Sequence, residues 1–314
     1  MRKVVKDFNN PPDDLRRCAV IQHKDIEIRG RNHRFVDECW RTTIIALRKL
    51  YHNKCAYCES AIVPYDNHND SPEIRKRFTV EHYRPKTYYY WLAYEWSNLL
   101  PLCKDCNGNK GDKFPFIGKN PYGMTNKMLN IEHTQKTENK LDLEKCRANH
   151  KDLLSENASF LHPEIDEPEL CLSFSIDGQI KFNDLKLGKE TDEAFEIRRK
   201  RADITIKEIK LDRFDLHTAR LTLINDKKRD LEIALKYFFK FADSSDSIII
   251  FFPFFDGLKQ LQEVHQPFSL LGKEMFENFN VFFVKPFQEL YGDDTADLLN
   301  YAYTEFAKLE SITK

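Results

Sequence analysis

Cys55-Ala56-Tyr57-Cys58, Val80-Glu81-His82-Tyr83-Arg84-Pro85 and Asn98-Leu99-Leu100-Pro101-Leu102-Cys103-Lys104-Asp105-Cys106-Asn107-Gly108-Asn109-Lys110 carry the strongest local signals in this chain. Two Cys-x-x-Cys pairs, Cys55/Cys58 and Cys103/Cys106, offer four thiolates in two knuckles, the ligand set of a tetrahedral structural zinc. The 44 residues between the pairs exceed the usual zinc-ribbon spacing. A folded insert that brings its own ends together satisfies that gap. Two other readings share the same residues: a thioredoxin-like redox pair and four buried thiols. A redox pair needs one Cys-x-x-Cys in a βαβ setting, and this sequence has two with knuckle-like flanks. Zinc is therefore the preferred reading. Cys18, Cys39, Cys146 and Cys171 are scattered and read as ordinary core thiols.

Working outward from the knuckles, Val36, Trp40, Ile44, Leu47 and Tyr51 recur at helical spacing, which predicts a helix from His33 to about Tyr51 leading into Cys55. Residues 59–77 are polar and punctuated by Pro64 and Pro72, so they read as a surface loop. Phe78 to Tyr83 is a short strand ended by Pro85, and a second strand runs from about Leu99 to Leu102. Cys103 opens a helix that Gly111 stops. Tyr88, Tyr89, Tyr90, Trp91, Tyr94 and Trp96 form an aromatic cluster. Packing of this small motif against the preceding helix is preferred over stacking on unpaired bases, because so short a unit needs a wall.

The whole chain, 314 residues with 41% apolar side chains, can build a proper core. No apolar run is long enough to span a bilayer, and the opening residues lack a signal-peptide core, so a cytoplasmic address without membrane contact is expected. Net charge is −1, yet residues 41–120 carry 13 Lys/Arg against 8 Asp/Glu. A locally basic segment suits a phosphate backbone, although this excess alone would also fit a solvated mixed surface. Further on, Cys171 to Phe182 reads as a hairpin with a type I′ turn at Asp177-Gly178. A long helix follows, capped by Asp212 or Asp215 and carrying Leu216, Leu223, Leu231, Leu235 and Phe238. Further helices are expected at about 256–265, 268–280 and 294–310.

The ordered set Glu81-His82, Asn98-Leu99, then Cys103-x-x-Cys106-Asn107-x-x-Lys110 resembles the HNH endonuclease family, in the subgroup whose ββα unit is clamped by two Cys-x-x-Cys pairs. Taken singly, a Glu-His dipeptide is ordinarily a surface pair and an Asn before Leu-Leu-Pro a turn former. Their order between the knuckles carries the resemblance. It implies that His82 is the general base for a water nucleophile, which an imidazole can be at neutral pH. It also implies that Glu81 and the Asn107 amide ligate a catalytic Mg²⁺ or Mn²⁺ through hard oxygens. Asn98 would fix the loop and orient His82. Lys110, one turn after Asn107, would face the same phosphate, and Arg84 would be a further nucleic-acid contact. The family more often has Asp or His at the position of Glu81.

Leu161 to Pro168, Leu172-Ser173-Phe174 with Asp177-Gly178, and Ile209-Lys210-Leu211-Asp212-Arg213 resemble a narrower group: the HNH nuclease subunits of bacterial anti-phage defence systems of the Septu type, including those encoded beside some retrons. Membership implies an ATPase partner. The chain carries no Gly-x-x-x-x-Gly-Lys-Ser/Thr loop, so ATP would act through another chain. The expected architecture is α+β and predominantly helical: an N-terminal arm (1–32), an HNH nuclease domain (33–120) with a ββα-metal core and a structural Cys₄ zinc, and a mainly helical C-terminal domain (121–314) with a hairpin at 170–183. The expected reaction is hydrolysis of DNA phosphodiester bonds. An RNA- or tRNA-cleaving enzyme and a non-catalytic zinc-knuckle module that binds nucleic acid or a partner remain the alternatives.

Overall fold

A computed structural model of the chain describes residues 1–62, 78–117, 136–137, 140–241 and 245–312. Most of the predicted loop at 59–77 lies outside the described residues. The predicted arm is more than an arm. Residues 1–12 lead into helix α1 (Asp13–Arg29), which buries Leu15, Ala19, His23 and Ile26 on one narrow stripe. His23 stands where helical periodicity calls for an apolar residue, which hides the pattern in a strongly charged segment.

The helix expected from His33 to Tyr51 is two short ones, α2 (Asp37–Arg41) and α3 (Ile44–Leu50). Between them the hydroxyls of Thr42 and Thr43 donate to the carbonyls of Cys39 and Trp40. Such back-bonding competes with the helical ladder and breaks the run there. Strands β1 (Phe78–His82) and β2 (Leu99–Cys103) pair antiparallel, with His82 opposite Leu99 and Phe78 opposite Cys103. In a two-stranded ribbon both strands are edges, so Pro101 is tolerated. Its carbonyl accepts the Ala56 N–H at 2.9 Å and ties the first knuckle to β2. Helix α4 (Lys104–Lys110) follows β2 directly and stops at Gly111, whose φ of 48° suits the missing Cβ. The ββα order expected from the sequence is therefore present.

The chain forms two compact units, and they divide elsewhere than at residue 120. One comprises Met1–Leu172 with Phe182–Leu211, and the other Ser173–Lys181 with Asp212–Lys314. Residues after 120 pack back onto the ββα motif. The Tyr83 hydroxyl donates to the Phe160 carbonyl at 2.6 Å. The first unit also holds α5 (Lys151–Leu154), α6 (Pro168–Cys171) and α7 (Asp192–Ile209), and Lys113 of the motif pairs with Glu208 of α7 at 3.1 Å.

In the second unit, Ser173 to Lys181 is the body of a hairpin made by β3 (Leu172–Phe174) and β4 (Ile180–Phe182). Its turn is not the predicted type I′, because only Gly178 of the Asp-Gly pair has positive φ (86°). A Cβ at Gly178 would lie 2.9 Å from the Leu221 backbone nitrogen. Helix α8 (Phe214–Phe241) buries Leu216, Leu231 and Leu235 of the predicted face, leaves Leu223 and Phe238 half-buried, and completes the face with Arg220, Ile224 and Ala234. Asp215 lies inside its first turn. Helices α9 (Phe252–Leu261), α10 (Ser269–Glu277), α11 (Lys285–Tyr291) and α12 (Asp293–Ile312) complete the unit. Among the described residues no helix is long and apolar enough to cross a membrane.

Candidate active site

The four knuckle sulfurs meet. Cys58 Sγ lies 3.8 Å from Cys103 Sγ, and the sulfurs of Cys55, Cys58, Cys103 and Cys106 all lie within 4.8 Å of one another. A tetrahedron with Zn–S of about 2.3 Å has edges of about 3.8 Å, so the donor set fits zinc. Cys103 also caps α4, its sulfur accepting the Cys106 N–H. The other cysteines behave differently from expectation in one respect. Cys18 of α1 and Cys39 of α2 form a disulfide, with Cα atoms 5.6 Å apart where the two helices meet. Their sequence separation gave no hint of that contact. Cys146 and Cys171 are buried thiols.

His82 ends β1 and is 4% exposed. Its Nε2 lies 2.9 Å from the Ala93 carbonyl oxygen, which can only accept, so the proton is assigned to Nε2 and the lone pair to Nδ1. The Trp40 ring meets the imidazole edge to face at 4.8 Å between centroids. Burial lowers the His82 pKa to about 3, against the raising effect of the Ala93 bond, and Lys86 and Lys110 lower it further. The ring is thus neutral at physiological pH, the form that accepts a proton.

His82, Glu81 and Asn107 line one cavity of about 1010 Å³, together with Trp40, Lys86 and Asp112. Glu81 is not free. The Lys110 ammonium, fully buried, donates to Glu81 Oε1 and to the His82 carbonyl, both at 2.8 Å. Lys110 therefore points beneath the β1 end and does not present its charge to a phosphate beside Asn107, contrary to the expectation from spacing. The reason is local: Lys110 is the last residue of a seven-residue helix, about one turn after Cys106, and there it faces the sheet. Asn98 lies behind His82. Its Oδ1 accepts the Arg84 N–H at 2.8 Å, and its Nδ2 donates to the Arg84 carbonyl at 3.0 Å and the Leu92 carbonyl at 3.2 Å. These bonds tie Asn98 to both ends of the stretch from Arg84 to Leu92.

Arg84 is a correction. The side chain is 2% exposed, and its Nε donates to Glu156 Oε2 at 2.8 Å. A guanidinium held in a buried ion pair cannot contact nucleic acid. The cavity instead carries the cations Lys86 and Arg41. The aromatic cluster packs inside: Tyr89, Tyr90, Trp91, Tyr94 and Trp96 are all buried. Sequence reading missed Ala93, Glu156, Lys86 and the contact of Trp40 with His82. Trp40 stood on the apolar face of its helix and was legible only as core.

A family model described as "HNH endonuclease" matches residues 55–113. That stretch of the chain is an HNH endonuclease domain. Beyond the class, the chain is 43% identical over 67 residues to the Septu protein PtuB of Bacillus thuringiensis, covering 21% of this chain. It is 37% identical to the Septu protein PtuB of Bacillus mycoides (strain KBAB4), covering 22% of this chain. The matched stretches span only 23% and 25% of those curated relatives' own lengths.

Proposed function

We propose that the protein is a metal-dependent endonuclease that hydrolyses DNA phosphodiester bonds as the nuclease of an anti-phage defence complex. The observation that carries the reading is His82: a neutral imidazole with Nε2 held by the Ala93 carbonyl, on the wall of a cavity shared with a carboxylate and an amide. Nδ1 of His82 takes the proton of the attacking water. Glu81, through the oxygen Lys110 does not hold, and the Asn107 amide oxygen suit a hard cation such as Mg²⁺ or Mn²⁺. That ion, when bound, neutralises the charge developing on the scissile phosphate. Lys110 holds the Glu81 carboxylate in place, a positioning role. Lys86 and Arg41 are the cavity's phosphate contacts, replacing Arg84. A zinc held by the four cysteines would join the first knuckle to the junction of β2 and α4.

The defence role and an ATPase partner rest on the resemblance to the Septu group and the similarity to PtuB. The test is cleavage of labelled DNA and labelled tRNA by the purified protein, alone and with any ATPase encoded beside its gene, in Mg²⁺ and in EDTA. DNA cleavage that needs the divalent ion and disappears in His82→Ala is the expected result. Cleavage of tRNA alone would replace the substrate. Cleavage unaffected by His82→Ala would remove the assigned base.

A further inference from the structure

Glu156 lies outside the matched HNH stretch, yet its carboxylate is at the back of the active site. It is 4% exposed. Oε2 accepts from Arg84 Nε at 2.8 Å and Oε1 accepts from the Tyr89 hydroxyl at 2.7 Å. Arg84 Nη2 donates to the Leu153 carbonyl at 2.8 Å, so the helical turn preceding Glu156 seats the same guanidinium. One buried carboxylate therefore clasps both ends of the loop from Arg84 to Tyr89.

That loop controls His82 from two directions. On its entry side, Arg84 stands two residues after His82, and its backbone N–H and C=O are both engaged by Asn98. On its exit side, Tyr89 begins the turn that delivers Ala93, whose carbonyl takes the His82 Nε2 proton. Backbone bonds at Pro85–Tyr89 and Tyr89–Leu92 transmit the position of Tyr89 along the turn. The loop has no strand partner of its own to fix it. From this geometry we infer that Glu156 is a positioning residue for the reaction: by bridging Arg84 and Tyr89 it sets the distance between the end of β1 and Ala93, and so the tautomer and orientation of His82.

The inference rests on the nuclease reading for its kinetic consequence, but its structural consequence can be measured without cleavage. Glu156→Gln keeps the shape, removes the charge and offers one acceptor oxygen in place of two. A misplacement of about 1 Å at a reacting group costs on the order of 100-fold. The expected effect is a fall in kcat of about 10- to 100-fold. KM should change less than about threefold, because Glu156 contacts neither the cavity nor its cations. The His82 Nε2–H resonance, observed in ¹⁵N-labelled protein, should shift or broaden as its bond to Ala93 is loosened. The double variant Arg84→Leu/Glu156→Leu removes the uncompensated charge, so it should regain melting temperature over Glu156→Gln while kcat stays low. Recovery of kcat together with melting temperature would reduce Glu156 to a structural role and overturn the inference. An unchanged His82 resonance in a folded, zinc-loaded Glu156→Gln protein would overturn it as well. If the wild type cuts no nucleic acid but the resonance still moves, the nuclease reading fails and the clasp survives.

Discussion

The two compact units are held together by different means. The unit with the HNH domain buries charge in bonded pairs. Lys6 meets Glu164 at 2.8 Å with both side chains essentially sealed, Arg84 meets Glu156, and Lys110 meets Glu81. The other unit, among its described residues, buries one comparable charge, Arg220, stacked on Phe174. Its core is phenylalanine: Phe255 packs on Phe279, Phe306 and Tyr303 at ring-centroid distances of 5.2 to 5.5 Å. The hydrophobic effect is non-directional, so such a core fills space without fixing any one atom. Ion pairs and hydrogen bonds fix direction, and a wrong geometry leaves a desolvated charge. Direction is required where an imidazole must meet one carbonyl, and the buried charges lie in that unit.

The largest effect that would separate the units is removal of zinc. All three tryptophans, Trp40, Trp91 and Trp96, lie in the HNH-bearing unit, so their fluorescence reports on it alone. Four clustered cysteines, three of them buried, have no reason to stay together as thiolates without an ion, and metal binding energy is folding energy for such sites. A strong zinc chelator, or Cys106→Ser, should shift tryptophan emission to the red and abolish cleavage. The helical signal of α8 to α12 should largely persist. Loss of all helical signal together with the tryptophan change would show one cooperative body and break the contrast.

Next in size are paired substitutions that probe how each core is repaired. Lys6→Met leaves Glu164 buried with only the Tyr51 hydroxyl donating to it at 2.6 Å, and should cost about 3–5 kcal/mol in denaturant unfolding. Adding Glu164→Leu should return most of that, because an apolar pair of similar volume is close to neutral. Phe255→Ala should cost a similar amount, about 3–5 kcal/mol, through lost burial and a cavity. It should leave kcat of the folded protein unchanged. Failure of the double variant to recover would mean that Lys6, which also donates to the Trp96 and Leu99 carbonyls, is needed for those bonds more than for its charge.

The contrast also explains what could be read in advance. The knuckles and the ββα order, with the places of His82 at the end of β1 and Asn98 just before β2, were legible because each depends on local spacing: a Cys-x-x-Cys, a strand ended by Pro85, a glycine with positive φ after a short helix. The long helix α8 was legible from its leucines. Partners of buried charges were not. Nothing in the sequence around Arg84 names Glu156, 72 residues away, and Arg84 alone looks like a phosphate ligand. Lys110 reads as a phosphate ligand for the same reason, but its partner is Glu81, 29 residues earlier in the chain. Helix α1 went unread because the residue completing its buried stripe is a histidine. The Cys18–Cys39 contact, like the ion pairs, is a product of packing between helices that were themselves mispredicted.

That histidine supplies the smallest effect. His23 is 8% exposed, its Nε2 has no hydrogen-bond partner, and burial lowers its pKa to about 4, with Glu27 opposing and His33 adding to the shift. In the unfolded chain it titrates near 6.5. Between pH 6.5 and 4 the unfolded state therefore holds the extra proton, and stability falls as pH falls through that window. The slope for one group is about 1.4 kcal/mol per pH unit once pH is well inside the window, and roughly 1 kcal/mol has gone by pH 5.5. Glu95, which lines the same small cavity with Arg16 and Arg147, has its pKa raised by burial to about 7. Its contribution has the opposite sign, since stability from a raised carboxyl is lost as pH rises towards 7. The two slopes overlap, so wild-type unfolding alone does not separate them. Comparison with His23→Gln does: the variant's stability, followed by tryptophan fluorescence in denaturant, should fall less steeply than wild type on acidification from pH 6.5. Parallel curves would show that His23 is hydrated or charged in the folded protein, and that this buried histidine joins the charged groups of its unit after all.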